Sequence, residues 1–117
     1  MAILTYDEVH ILVNNICAQI IKASADYDGV YCIRGGGLVA GAMIAYKLNI
    51  PVTSVFNKRM LIVDDCIMTG RTIRPYVDLG IDIAVLRCHE SRVHLCRYFG
   101  EMKSNDYITY PWEVLKK

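Results

Sequence analysis

Apolar and polar positions along this chain follow two different rhythms. From Val9 the apolar residues return at Leu12, Val13, Ile16, Cys17 and Ile20, the spacing of one face of an α-helix. Thr5-Tyr6-Asp7-Glu8 stands in front of them as a capping box, with Thr5 as N-cap and Glu8 reaching back. The pattern predicts an amphipathic first helix that ends near Ala25 and is broken by Asp28-Gly29. The rhythm then changes to short unbroken apolar runs. Val30 to Ile33, Val52 to Phe56, Met60 to Val63 and Ile81 to Leu86 have the length and composition of buried strands. Arg34-Gly35-Gly36-Gly37 reads as a turn, and Leu38 to Leu48 as a helix that Gly41, Ala42 and Ala45 keep thin enough to lie close on a sheet. Asn49 and Pro51 stop it. A further helix is predicted from about Arg71 to Leu79, ending at Gly80.

The order strand, helix, strand, strand, helix, strand requires crossovers. It predicts an α/β fold: a small, doubly wound, mostly parallel sheet with helices on both faces. The last third is less regular. Residues 87–106 mix charge, histidine and aromatics and read as loop with room for an irregular strand. Tyr107-Ile108-Thr109 reads as a short strand before Pro111.

Composition narrows the class. The 117 residues suit one domain, with residues 1–25 as N-terminal helix, 30–88 as core and 89–117 as a C-terminal segment. A hydrophobic content of 54% with 21% charged residues fits a packed globule. A net charge of +1 gives no bulk attraction to nucleic acid or an anionic membrane, so neither is expected as a partner. No apolar run is long enough to span a bilayer, and no signal-peptide pattern follows Met1, so the expected compartment is the cytoplasm. The five cysteines are Cys17, Cys32, Cys66, Cys88 and Cys96. They are odd in number and mostly embedded in apolar runs, which suits reduced core thiols. Cys88, His89, His94 and Cys96 form a local set that could bind zinc, but the spacing is not that of a Cys-x-x-Cys knuckle.

The most informative stretch is Met60-Leu61-Ile62-Val63-Asp64-Asp65-Cys66-Ile67-Met68-Thr69-Gly70-Arg71-Thr72. An apolar strand delivers two carboxylates to its C-terminal end, where open α/β sheets bind ligands. Thr69 to Thr72 then offers backbone N–H groups, two hydroxyls and a helix start, which suit a phosphate. Acids able to hold sugar hydroxyls or a metal, beside a phosphate cradle, describe a site for a phosphorylated sugar. Arg34-Gly35-Gly36-Gly37, at the end of the first long strand, adds glycines that let backbone N–H groups approach a second anion.

These motifs resemble the phosphoribosyl pyrophosphate (PRPP) signature of the type I phosphoribosyltransferases. The run Gly37-Leu38-Val39-Ala40-Gly41-Ala42 is similar to that of the bacterial xanthine–guanine enzymes of this family, here in a shortened form. The resemblance covers most of Tyr31 to Glu113. It implies that Asp64 and Asp65 are the catalytic acids contacting the ribose hydroxyls and, directly or through water, Mg²⁺. It implies that Met68, Thr69, Gly70, Arg71 and Thr72 grip the 5-phosphate, and that Arg34, Gly35, Gly36 and Gly37 bind pyrophosphate. Tyr107 to Glu113 resembles the hood of purine enzymes, with Tyr107 stacking on the base, Ile108 beside it and Trp112 structural. The implied reaction displaces pyrophosphate from C1 of PRPP by a nitrogen of a purine-like base. The implied partners are PRPP, a nitrogenous base, Mg²⁺ and a second copy of the chain.

Two departures from the family pattern bear on activity. The 6-oxopurine enzymes carry an aspartate at the position of Met68, where it handles the purine N7 proton. The family also inserts a long flexible lid before the signature strand, where this chain has only Asn57-Lys58-Arg59. These departures leave an alternative, a noncatalytic PRPP- or nucleotide-binding domain with a regulatory or accessory role.

Overall fold

The first helix, α1, runs from Tyr6 to Lys22. Its N-terminus is closed by the predicted capping box: Thr5 Oγ1 accepts the Glu8 N–H at 3.1 Å, and Glu8 Oε1 accepts the Thr5 N–H at 3.0 Å. The structure is a computed structural model and describes residues 2–103 and 108–113. Before α1 lies a two-residue strand, β1 (Ala2–Ile3). After it come β2 (Gly29–Cys32), α2 (Arg34–Leu48), β3 (Met60–Ile67), α3 (Arg74–Asp78) and β4 (Ile83–His89). A 3-10 helix (Glu90–Leu95), β5 (Tyr98–Lys103), β6 (Ile108–Thr109) and a short 3-10 turn (Pro111–Glu113) complete the described chain.

The main sheet has the order β2-β3-β4-β5, and every pairing in it is parallel. The apolar runs at Leu61–Val63 and Ile83–Leu86 are fully buried, as strands covered on both faces must be. On one face α1 and α2 supply Val9, Leu12, Val13, Ile16, Ala40 and Ile44, which pack on Val30, Leu61, Val63, Ala84 and Leu86. On the other, Ile73, Tyr76 and Val77 from the α3 region and Leu95 from the 3-10 helix pack on Ile62, Ile83 and Val85. The expected α/β sheet with helices on both faces is thus present. A small parallel pair, β1 with β6, ties the C-terminal segment to the start of the chain, and the Leu4 N–H extends it to the Thr109 carbonyl at 2.9 Å.

Several elements differ from the sequence expectation. Val52 to Phe56 is not a strand: Val52 makes one parallel bridge to Val30, and the chain then bends away. Pro51 has no N–H to give a ladder, and Val52, Val55 and Phe56 stay exposed. Of the stretch 87–106, residues 104–106 lie outside the described residues, and the described part, 87–103, is not mainly loop. β4 continues through Arg87, Cys88 and His89, and Tyr98–Lys103 is a regular fourth parallel strand. Its charges did not prevent this, because Glu101 pairs with the Arg87 guanidinium across the ladder at 2.6 Å.

The bridge at Val52 positions the site. The Val30 N–H donates to the Pro51 carbonyl, and the Val30 carbonyl accepts from Thr53. Residue 52 therefore lies on the edge of β2 away from β3. The chain leaves β2 through α2 towards one side and returns to β3 on the other. Strand order reverses between β2 and β3, and the crevice at such a switch point is where open α/β sheets take ligands.

Candidate functional site

The carboxyl ends of β2 and β3 bring together the glycine run and the acid pair. Asp64 and Asp65 lie in the C-terminal half of β3, as expected, and the strand continues past them to Ile67. Arg34-Gly35-Gly36-Gly37 is not a turn. It is the first turn of α2, which starts at Arg34 directly after an N-cap, Ile33, that offers no side-chain hydrogen bond. This helix start lies against the acids. A Cβ on Gly36 would run into the Asp65 carboxylate, and one on Gly37 would come within 2.6 Å of the Val63 carbonyl oxygen. The glycines are needed for that close approach.

Two cavities meet at the acids. The larger, of about 520 Å³, is lined by Gly35, Gly36, Val39, Asp64, Asp65, Thr72, Trp112 and Glu113. The smaller, of about 170 Å³, is formed by Asp64, Cys66, Ile67, Met68, Thr69, Gly70, Arg71, Thr72 and Ile73. Asp64 and Thr72 belong to both walls. The predicted phosphate loop therefore encloses its own small cavity. It is built of bends and a turn, with Gly70 at a φ of +84°. It is not the head of a helix: α3 starts only at Arg74 and has five residues. Within the loop the Arg71 N–H reaches Thr69 Oγ1 at 3.3 Å, and the Arg74 N–H reaches the Gly70 carbonyl at 3.0 Å.

The electrostatics are those of crowded acids. Asp64 is nearly buried, and its Oδ1 accepts the Asp65 N–H at 2.8 Å. Burial pushes the Asp65 carboxyl above the usual carboxylate range. A hydrogen bond with Asp64 opposes that shift, the charge of Glu113 adds to it, and the N–H groups of Asp65 and Cys66 moderate it. A buried carboxyl beside two others favours a proton, a cation or a positively polarised ligand.

The C-terminal segment closes one side. The Tyr110 hydroxyl donates to the Asp65 carbonyl at 3.1 Å, and the Tyr110 ring stacks on Trp112 with centroids 4.9 Å apart and planes 3° from parallel. Glu113 Oε1 accepts the Tyr110 N–H at 2.9 Å. The Trp112 indole N–H is buried with no hydrogen-bond partner among the described residues. Trp112, read from sequence as structural, and Glu113, read only as part of a motif, thus both line the larger cavity. The signal that could have found them is the proximity of Pro-Trp-acid to a tyrosine able to reach the signature strand. Ile108 lies in β6, half-buried against the core near α1, and in neither cavity wall among the described residues. Tyr107 lies outside the described residues.

Of the possible zinc set, Cys88 and Cys96 lie side by side, while His89 takes a different role. Cys88 is buried in the core, and the Cys96 thiol points to the Val93 carbonyl at 3.6 Å. His89 Nδ1 accepts the Ser91 N–H at 3.1 Å, capping the 3-10 helix. Among the described residues no group of three or more His, Cys, Asp or Glu is placed to cage a metal ion, and all five cysteines are free thiols.

A parallel sheet with an acid pair at its switch point and a glycine helix start beside it is the fold of the type I phosphoribosyltransferases, which this chain shares with solved purine phosphoribosyltransferases. The chain is 24% identical over 135 residues to the xanthine-guanine phosphoribosyltransferase of Chromohalobacter salexigens, covering 94% of this chain and 82% of that protein. Among solved structures it superposes on the xanthine-guanine-hypoxanthine phosphoribosyltransferase of Helicobacter pylori with a TM-score of 0.81 at 13% identity, covering 97% of this chain and 93% of the other. It superposes on a purine phosphoribosyltransferase from Pyrococcus horikoshii with a TM-score of 0.78 at 21% identity, covering 96% and 93%. No family model matches the chain.

Proposed function

We propose that this protein is a purine phosphoribosyltransferase, transferring 5-phosphoribose from PRPP to a nitrogen of a purine-like base with release of pyrophosphate. The observation that carries the reading is the position of Asp64, whose side forms a wall of both the phosphate-sized cavity and the larger one. A ligand with a phosphate at one end and a bulkier group at the other, joined by a hydroxylated ring, suits that pair of spaces. The noncatalytic alternative is not favoured, since the relative matching 94% of the chain is named for the transfer activity.

On this reading Met68 to Thr72 surround the 5-phosphate, with backbone N–H groups and the Thr69 and Thr72 hydroxyls as donors. Asp64 and Asp65 accept hydrogen bonds from the ribose hydroxyls. Pyrophosphate lies against Gly35 to Gly37, where the N–H groups of Gly35 and Gly36 in the first turn of α2 and the helix dipole favour an anion, the Gly37 N–H being already given to the Ile33 carbonyl at 3.1 Å. Arg34 opens that turn. As the bond to pyrophosphate lengthens, positive charge builds on the ribose and negative charge on the leaving group. Asp64 and Asp65 stabilise the former, and the helix start receives the latter. The Trp112 indole N–H and Glu113 offer polar groups in the wall of the larger cavity, and Tyr107 and Ile108 are assigned to the base.

Mg²⁺ fits the donor set. Its ligands are oxygens, and it is often held by one or two carboxylates completed by substrate phosphates and water. Asp64 and Asp65 would hold it, and the raised carboxyl of Asp65 marks a place where a cation relieves buried negative charge. When bound it would supply charge neutralisation to the pyrophosphate. We further assign the protein to the cytoplasm as a homo-oligomer. Free thiols suit a reducing compartment, and exposed Val52, Val55 and Phe56 suit contact with a second copy. Among the described residues no helix is long and apolar enough to cross a membrane.

The test is pyrophosphate release from PRPP and Mg²⁺ with a panel of free purines and pyrimidines. Release with at least one purine is expected. PRPP binding without release for any base would leave a binding domain, and no binding of PRPP would overturn the reading.

A further inference from the structure

The loop assigned to the 5-phosphate has little structure of its own, and two contacts from behind hold its shape. Leu95, at the end of the 3-10 helix Glu90–Leu95, is buried and sits so close beneath Gly70 that a Cβ there would come within 2.5 Å of Leu95 Cδ1. Three residues earlier, the half-buried Arg92 donates from Nε to the Thr69 carbonyl at 3.2 Å. Neither residue lies in the cavity wall formed by the loop among the described residues. The 3-10 helix is itself fixed at its start by the His89 ring, which accepts the Ser91 N–H at 3.1 Å.

We infer that the 3-10 helix between β4 and β5 sets the geometry of the phosphate loop, with Arg92 as a positioning residue for PRPP. The inference rests on the proposed transferase reading. In a trans peptide the carbonyl and the following N–H point in opposite directions. Tethering the Thr69 carbonyl to Arg92 turns the Gly70 N–H away from the 3-10 helix, towards the anion. The positive φ of Gly70, +84°, lets the chain take that orientation, and Leu95 fills the space beneath, so that a side chain at this position would have to displace it. Loss of the tether frees the Thr69–Gly70 peptide to rotate, and the loop then pays the ordering entropy when it binds. The effect falls on the phosphate end of the substrate and not on the base.

The geometry supplies a discriminating variant. The amide nitrogen of glutamine occupies the same position along its side chain as Nε of arginine, without the charge. If Arg92 acts through its Nε hydrogen bond, Arg92→Gln keeps near wild-type behaviour. Arg92→Ala raises KM for PRPP about five- to tenfold, the scale of one ordinary hydrogen bond. KM for the base and kcat should stay within about twofold, and the melting temperature within a few degrees. Calorimetric titration with ribose 5-phosphate gives the same comparison without turnover. Unchanged PRPP and ribose 5-phosphate affinity in Arg92→Ala overturns the inference and leaves the transferase reading intact. Equal losses in Arg92→Ala and Arg92→Gln, with Arg92→Lys unaffected, overturn it in favour of direct charge attraction. A wild-type protein that binds neither PRPP nor ribose 5-phosphate overturns both readings together.

Discussion

The Tyr110 hydroxyl donates a 3.1 Å hydrogen bond to the main-chain carbonyl of Asp65, 45 residues earlier. This bond joins the C-terminal segment to the strand that carries the acids. Tyr110 is buried, and its ring is held on the far side by Trp112. The bond fixes the place of Trp112 and Glu113 at the larger cavity as well as the backbone at Asp65. Tyr110→Phe keeps the ring and removes the bond. It should cost about 1 kcal/mol of stability, a fall of a few degrees in melting temperature, and should raise KM for the base more than KM for PRPP. An equal rise in both would mean that the strand, and not the C-terminal segment, has moved.

Asp65 should be a residue that costs stability. Its carboxyl lies above the usual range chiefly through burial, with Glu113 adding to the shift and Asp64 opposing it. A carboxyl whose pKa is raised on folding contributes stability below the unfolded value near 3.9 and loses it as the pH rises through the folded value. At neutral pH the ionised group therefore opposes folding. Asp65→Asn, nearly the same shape without the charge, should raise the melting temperature at pH 7 and bring no gain at pH 3. The same change should weaken PRPP binding with Mg²⁺ by about tenfold or more, since it removes a charged acceptor. Thermal melts at the two pH values and a PRPP titration check both halves. A variant less stable at pH 7 than the wild type would show that the charge is fully compensated.

What the sequence made legible follows from which residues act locally. The capping box at Thr5 and Glu8, the helical spacing from Val9 to Ile20, and the strand with its acids all formed where expected, because each is set by neighbours within a turn or a strand. The start of α2 was misread because Gly35-Gly36-Gly37 has turn chemistry. Only the nearness of β3, with the Val63 carbonyl and the Asp65 carboxylate under those glycines, turns the segment into a helix start. β5 was hidden because its sequence, Tyr98 to Lys103, is polar on average. Its strand character comes from pairing with β4, including Arg87 with Glu101. The roles of Tyr110, Trp112 and Glu113 depend on a contact across 45 residues that no local pattern encodes.

Alkaline conditions should destabilise the protein through its thiols before its tyrosines. Burial pushes Cys32 up to about 11, and burial together with neighbouring Cys88 pushes Cys96 up to about 12. An unfolded thiol ionises near 8.5. The stability these groups contribute is therefore complete below that value and is lost as the pH climbs towards 11–12. Tyr27 and Tyr110, also raised by burial, add the same slope from about pH 10. Urea midpoints should fall steadily between pH 8 and 10. In the Cys32→Ala, Cys96→Ala double variant that part of the slope should flatten, whatever its absolute stability. A slope identical in both proteins would mean that the thiols ionise as freely folded as unfolded.

Met68 should set the ceiling on purine transfer. It lies at the phosphate loop with about half its surface exposed, 52%, so a polar side chain there disturbs no core. A thioether neither accepts nor donates a proton usefully, so on the proposed reading the bond to the base would form without a carboxylate at this point. Met68→Asp supplies one two residues before Gly70, on the wall of the cavity shared with Asp64. General acid–base help of this kind is worth about 10²-fold, and kcat with purines should rise by that order if proton handling limits the reaction. The added charge lies near the 5-phosphate, so KM for PRPP should rise in the same variant, and the gain belongs in kcat alone. An unchanged kcat with PRPP binding intact would move the limit elsewhere. The next candidate is the short connection at residues 52–59, where Phe56 packs on Tyr31 and Tyr76, in place of a lid that would exclude water from the reacting carbon.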